Sequence, residues 1–261
     1  MISRLETRLT PLAALLLALA CVTACKDKTP ATPIGPSSGE LTVAAASDLR
    51  PPFEELGRAF ESVTKTKVVF VFGSTGMLTR QIENGAPFDL FASASLSYID
   101  QLEQKGLIIP DSKTVYARGR ITLWTANESP VRFQGIEDLA RPEIQRVAIA
   151  NPDHAPYGVA AKQALQNAGV WDRVQPKLVY GDNIQQTLQY AQTGNVEVAI
   201  VALSLSIPSN GRWTLIPEDL HEPIDQSLAI MKSTRNEQAA RAFITFLGSP
   251  QGKAIMKKYG F

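Results

Sequence analysis

The chain has 261 residues, 26 basic against 25 acidic side chains, and two cysteines, Cys21 and Cys25. That length is long for one hydrophobic core and short for three. The charge balance gives no sign of a nucleic-acid surface, and with both cysteines near the start the rest can supply no thiol nucleophile, disulfide or cysteine metal ligand.

The start reads as a targeting segment. Arg4 and Arg8 make a positive head, and residues 12–24 form an apolar stretch too short for a comfortable membrane span. It closes on Val22-Thr23-Ala24-Cys25, which resembles a lipobox. Residues 1–24 are therefore read as a lipoprotein signal peptide and Cys25 as the lipidated new N-terminus. Cys21 fits less well, because Leu19 falls one position late. Cleavage removes Arg4, Arg8 and Glu6 and leaves a formally neutral chain. Residues 25–39, rich in Pro, Ser, Thr and Gly, read as a flexible tether.

From residue 40 onward strand-like and helical runs alternate. Residues 41–45 predict a strand. Phe53, Leu56, Phe60 and Val63 recur at offsets of three and four, the spacing of one helix face. Residues 67–72 predict a strand, Leu78 and Ile82 mark a helix, and 88–92 is an apolar run. Residues 98–104 predict a helix stopped by Gly106. A strand at 120–125, a short helix at 136–140 and a strand at 146–150 follow. Residues 157–168 predict a helix ended by Gly169, 177–180 a strand, and 183–193 a helix ended by Gly194. Residues 196–203 form a strongly apolar, buried strand. A strand at 226–231 and a helix at 236–247 come last. The rhythm predicts an α/β fold with mainly parallel sheets.

Two hydroxyl-bearing turns sit where strand gives way to helix: Ala44-Ala45-Ala46-Ser47-Asp48-Leu49 and Phe72-Gly73-Ser74-Thr75-Gly76. In open α/β sheets ligands bind there. Helix N-termini offer unpaired N–H groups and a positive dipole end. Ser and Thr add hydroxyl donors, and Gly lets an anion approach the backbone. These residues leave two readings open, a shared anion site or ordinary helix caps. Two further helix starts are Asn151-Pro152-Asp153-His154-Ala155-Pro156-Tyr157-Gly158 and Gly181-Asp182-Asn183-Ile184, with Pro156 suited to a first helical position and Asp182 the expected cap. No Arg or Lys falls in any of the four turns, so an anion there would be held by neutral donors and helix dipoles.

The runs AAASDL, FGSTGMLTRQIENGAPFDLF, NPDHAPYGVAAKQAL and the terminal PQGKAIMKKYGF together resemble the periplasmic molybdate-binding proteins of bacterial ABC importers, over residues 41–261. The resemblance implies a two-lobe periplasmic-binding-protein fold of type II. Each lobe would be a mainly parallel sheet flanked by helices, with two hinge crossings that permit closure. Residues 40–117 and 224–261 would form lobe one, and 118–223 lobe two. It implies molybdate, and tungstate with it, as ligand in the cleft, and the membrane permease of an ABC importer as partner. Sulfate or phosphate on the same scaffold is the alternative. It further implies a monomer on the periplasmic or cell-surface side, anchored through Cys25, with no enzymatic activity, no cofactor and no cation site.

By the same resemblance Ser47 is the first hydroxyl ligand and Ser74 or Thr75 the second, while Tyr157 and Ile184 give main-chain N–H groups, their side chains being secondary. Some members use a tyrosine hydroxyl late in lobe two. Ala202 falls at that place here, leaving one donor fewer, or Ser204 or a water instead. His154 beside Asp153 is read as structural, Asp48 and Asp182 as caps, and Trp124, Trp171 and Trp213 as packing residues. Gly73-Ser74-Thr75-Gly76 fits neither the G-x-S-x-G turn nor a Walker loop, and a serine nucleophile at Ser47 or Ser74 has no assigned base.

Overall fold

A computed structural model describes residues 39–261. The leader, Cys25 and the tether through Ser38 lie outside the described residues. The first strands and helices are β1 (Glu40–Ala46), α1 (Arg50–Thr64), β2 (Lys67–Gly73), α2 (Thr75–Glu83), β3 (Leu90–Ser93), α3 (Leu96–Gln104) and β4 (Thr114–Gly119). Then come β5 (Ile121–Ala126), β6 (Val147–Ala150), α4 (Pro156–Asn167), α5 (Trp171–Val174), β7 (Leu178–Gly181), α6 (Ile184–Gln192), β8 (Val198–Ala202), α7 (Leu203–Ser206) and β9 (Gly211–Leu215). The chain finishes with β10 (Ile224–Ile230), α8 (Glu237–Leu247) and α9 (Pro250–Lys258).

The strands form two five-stranded sheets, ordered β2-β1-β3-β10-β4 and β7-β6-β8-β5-β9. Each is mixed in the same way. Four strands point one way, and the fourth in order, β10 or β5, runs against its neighbours. Both reversed strands are the ones by which the chain enters a sheet from the other. It leaves each sheet from an edge strand, β4 or β9. Arg120 alone separates β4 from β5, whereas residues 216–223 link β9 to β10. These two crossings divide the molecule into two lobes.

Local chemistry explains the main elements. Gly106, Gly169 and Gly194 have φ of 67, 68 and 73°. They end α3, α4 and α6 in the left-handed conformation that a side chain resists. Strands β3, β6 and β8 are buried along their whole length, as apolar runs covered on both faces must be. α1 lays Phe53, Leu56 and Phe60 on the first sheet, where Phe53 and Phe60 meet Phe243 of α8 at ring separations of 6.0 and 5.3 Å. Such edge-on aromatic pairs add to simple burial.

Several expectations need correction. Val63 is 61% exposed, so the apolar stripe of α1 stops a turn earlier than its spacing suggested. The run 196–203 breaks after Ala202, and Leu203 opens α7. The 136–140 helix is a 3-10 turn. Edge strands β4 and β9 are partly exposed along most of their length, so they carry no continuous apolar run to read. The tryptophans need none: Trp124 packs in the core with its indole N–H on Ser209 Oγ at 2.7 Å, and Trp213 lies at the lobe surface.

Candidate functional site

Four strand-to-helix turns meet at one place. β1 and β2 are neighbours, and their ends Ala46 and Gly73 are register partners. β6 and β7 are neighbours in the other sheet, and their ends Ala150 and Gly181 pair likewise. The helices that follow begin at Thr75, Pro156 and Ile184, and a 3-10 turn begins at Ser47. All four starts surround one small cavity. It is lined by Ser47, Ser74, Thr75, Tyr157 and Ile184, with Asp48 beside them and Ala46, Gly73, Ala94, Ala155 and Pro156 completing the wall. Ser47, Ser74, Thr75, Tyr157 and Ile184 are each under 5% exposed.

The side chains in this wall do different jobs. Ser47 Oγ is buried with no hydrogen-bond partner. Ser74 occupies the N-cap position of α2 but makes no cap bond. Its Oγ lies 2.7 Å from His154 Nδ1 and 3.0 Å from His154 O. The single hydroxyl hydrogen of Ser74 is therefore committed to His154 in either imidazole tautomer. Thr75 Oγ1 accepts from the Ala94 N–H at 3.1 Å, which leaves its own hydrogen free. Neither Ser47 nor Ser74 caps a helix. The true cap of α6 is Asn183, not Asp182: its Oδ1 takes the N–H groups of Gln185 and Gln186 at 3.0 and 3.1 Å.

The lobes are bonded to each other around the cavity. His154, read as merely structural, reaches across to Ser74, and its carbonyl accepts the Gly76 N–H at 2.9 Å. A Cβ on Gly76 would sit 2.9 Å from both His154 O and the Tyr98 hydroxyl, so this approach requires glycine. Arg50 Nε donates to Gln185 Oε1 at 2.6 Å. Ser204 Oγ donates to the Asp48 carbonyl at 2.8 Å. Ser204 thus holds the lobes together and does not line the cavity, which corrects its reading as a substitute donor for the tyrosine absent at Ala202.

Asp48 is no cap either. It is fully buried, and its Oδ2 accepts from Gln226 Nε2 at 2.7 Å, a residue on β10. Burial pushes its carboxyl up to about 7, against the pull of Tyr157, its own backbone and Gln226. The Tyr157 hydroxyl lies 3.3 Å from Gln226 Nε2. Burial and the nearby Asp48 hold the phenols of Tyr157 and Tyr116 well above their ordinary range. The Tyr157 side chain therefore belongs to a buried polar cluster with Asp48 and Gln226. Gln226 and Tyr116 went unread in the sequence. A Gln inside the apolar strand 226–231 was the available signal for the first, whereas Tyr116 sits on an unread edge strand.

A family model described as bacterial extracellular solute-binding protein matches residues 41–261. The chain belongs to this family. This solute-binding protein is 37% identical over 227 residues to the molybdate-binding protein of Rhodobacter capsulatus, covering 86% of this chain and 89% of that one. It is 36% identical to the molybdate-binding protein of Azotobacter vinelandii, over 86% and 90% of the two chains. The solved periplasmic molybdate-binding protein of Azotobacter vinelandii superposes with a TM-score of 0.80 at 32% identity, covering 84% and 97%. The two-lobe periplasmic-binding-protein architecture, with its two mixed sheets flanked by helices, is thereby shown for the solute-binding protein.

Proposed function

We propose that the protein binds molybdate, and tungstate with it, between its lobes and delivers the oxyanion to an ABC importer, acting as a monomer without cofactor. The observation that carries the reading is the buried, unpartnered Ser47 hydroxyl in the wall of the small cavity where the four turns meet. The space is too small for a sugar or peptide. Ser47 and Thr75 are the hydroxyl donors in this reading, because Ser74 spends its hydrogen on His154. Tyr157 and Ile184 stand in the first turns of α4 and α6, where N–H groups have no partner within the helix. The relatives named for molybdate binding support the choice of ion.

Calorimetric titration with molybdate, tungstate, sulfate and phosphate tests it. Molybdate and tungstate are expected to bind, with sulfate and phosphate at least about 100-fold weaker, a gap of roughly 2.7 kcal/mol. Tighter binding of sulfate or phosphate would transfer the site to that ion.

Anchoring is a separate part of the proposal and rests on Val22-Thr23-Ala24-Cys25. Cys25→Ser is expected to abolish acylation and release the exported protein from the membrane fraction. Mass spectrometry of the wild-type N-terminus checks it; a mature start elsewhere than Cys25, without an acyl chain, overturns the anchor.

A further inference from the structure

The wall of the cavity carries no cation, and its one charged side-chain type is an acid, Asp48. Its Oδ1 is buried and has no hydrogen-bond partner. The groups packed against it are the phenols of Tyr116 on β4 and Tyr157 on α4, the Gln226 amide on β10 and Ser204 on α7. None of these is a cation. Arg50, on the first turn of α1, is engaged with Gln185 and Glu54 and lies over the Phe72 ring at 4.4 Å. His154 is held by Ser74. An ionised Asp48 would share a water-poor space with a dianion, with no positive charge to offset either, and the two would repel strongly.

We propose, resting on the oxyanion reading above, that Asp48 is a protonated acid in the liganded protein, so that one proton enters with each dianion and the Asp48 Oδ1–H becomes a further hydrogen-bond donor. The proton comes from solvent and forms an O–H bond at Asp48; no bond of the anion is made or broken. As a carboxylate oxygen, Oδ1 accepts no hydrogen bond at ordinary distance, although the Tyr157 phenol and the Asp48 N–H stand nearby. As O–H it is a donor in a wall that otherwise offers the ion only neutral groups. Burial already moves the empty site this way, to about 7, and a bound dianion raises the carboxyl further.

The sign of the pH dependence follows. Below about pH 7 the acid is protonated with or without ligand, so binding takes up no proton and affinity is flat. Above it the empty site must first regain the proton, and affinity falls about tenfold per pH unit. Titrating the wild-type protein with molybdate between about pH 6.5 and 9, in two buffers of different ionisation enthalpy, counts the protons directly. Close to one proton per anion is expected at about pH 8.5, falling to about a quarter of one near pH 6.5. Asp48→Asn keeps the shape and an acceptor for Gln226, and should bind with a flat profile and no uptake. His154→Gln weakens binding through the lost cross-lobe bond but keeps the proton count, which sets the imidazole aside. Zero uptake by the wild type at about pH 8.5, or a slope that survives in Asp48→Asn, overturns the inference. The wild-type count decides the matter even if Asp48→Asn folds poorly. Absence of molybdate binding at every pH is a different result: it overturns the oxyanion reading, and this inference with it.

Discussion

Replacing Ser47 by alanine is expected to weaken molybdate binding by about 10- to 150-fold. A hydrogen bond to a charged group contributes roughly 1.5–3 kcal/mol, at about 1.4 kcal/mol per decade of affinity. Ser47 Oγ has no partner within the protein, so its removal breaks nothing in the empty molecule. The melting temperature without ligand should therefore hold or rise slightly. A capping serine behaves in the opposite way, losing about 0.5–2 kcal/mol of stability with affinity nearly intact. Dissociation constant and melting temperature measured on one preparation separate the two. A variant that binds like wild type and melts lower would remove Ser47 from the site.

Gly158→Ala should produce the largest loss of stability, about 3 kcal/mol, the upper end of what overpacking costs. Gly158 lies in the first turn of α4, pressed against the end of β6. A Cβ there would stand 2.1 Å from Ala150 O and 2.7 Å from Ala150 C. Both are backbone atoms of a buried strand and cannot swing aside as a side-chain tip could. The helix start must move away from the sheet, carrying Pro156 and Tyr157 out of the cavity wall. Molybdate affinity should fall together with the melting temperature, and at equal ligand concentration the variant should melt below the wild type. Gly169→Ala is a useful contrast. Its added Cβ meets nothing within 4 Å, and only the φ of 68° opposes it, so it should destabilise without touching the site.

Local signals were legible where one short stretch contains its own reason. The helix stops at Gly106, Gly169 and Gly194 each follow from a single residue and its positive φ. The buried β8 follows from an unbroken apolar run. Partnerships across long separations were not legible. Gln226 meets Asp48 from 178 residues away, and His154 meets Ser74 from 80; no periodicity encodes either. The choice between Asp182 and Asn183 as cap was also beyond local reading, since both side chains suit the role and a one-residue difference in where the helix begins decides it. Edge strands β4 and β9 went unread because half-exposed strands mix polar and apolar residues without a clear period. Taking Tyr157 only for its backbone N–H hid its phenol, which is as buried as the Asp48 carboxyl it adjoins.

The bonds that close the cavity lie between lobes: Gly76 to the His154 carbonyl, Ser74 to its imidazole, Arg50 to Gln185. Ser47, Thr75, Tyr157 and Ile184 behind them are buried, so an ion held among them would be covered by both lobes. Such an ion would leave as the halves part. Machinery that unloads this protein has no need to reach the cargo. Gripping one lobe in each hand and prising them apart is sufficient, and the ion, left on a neutral surface with half its donors gone, lets go by itself.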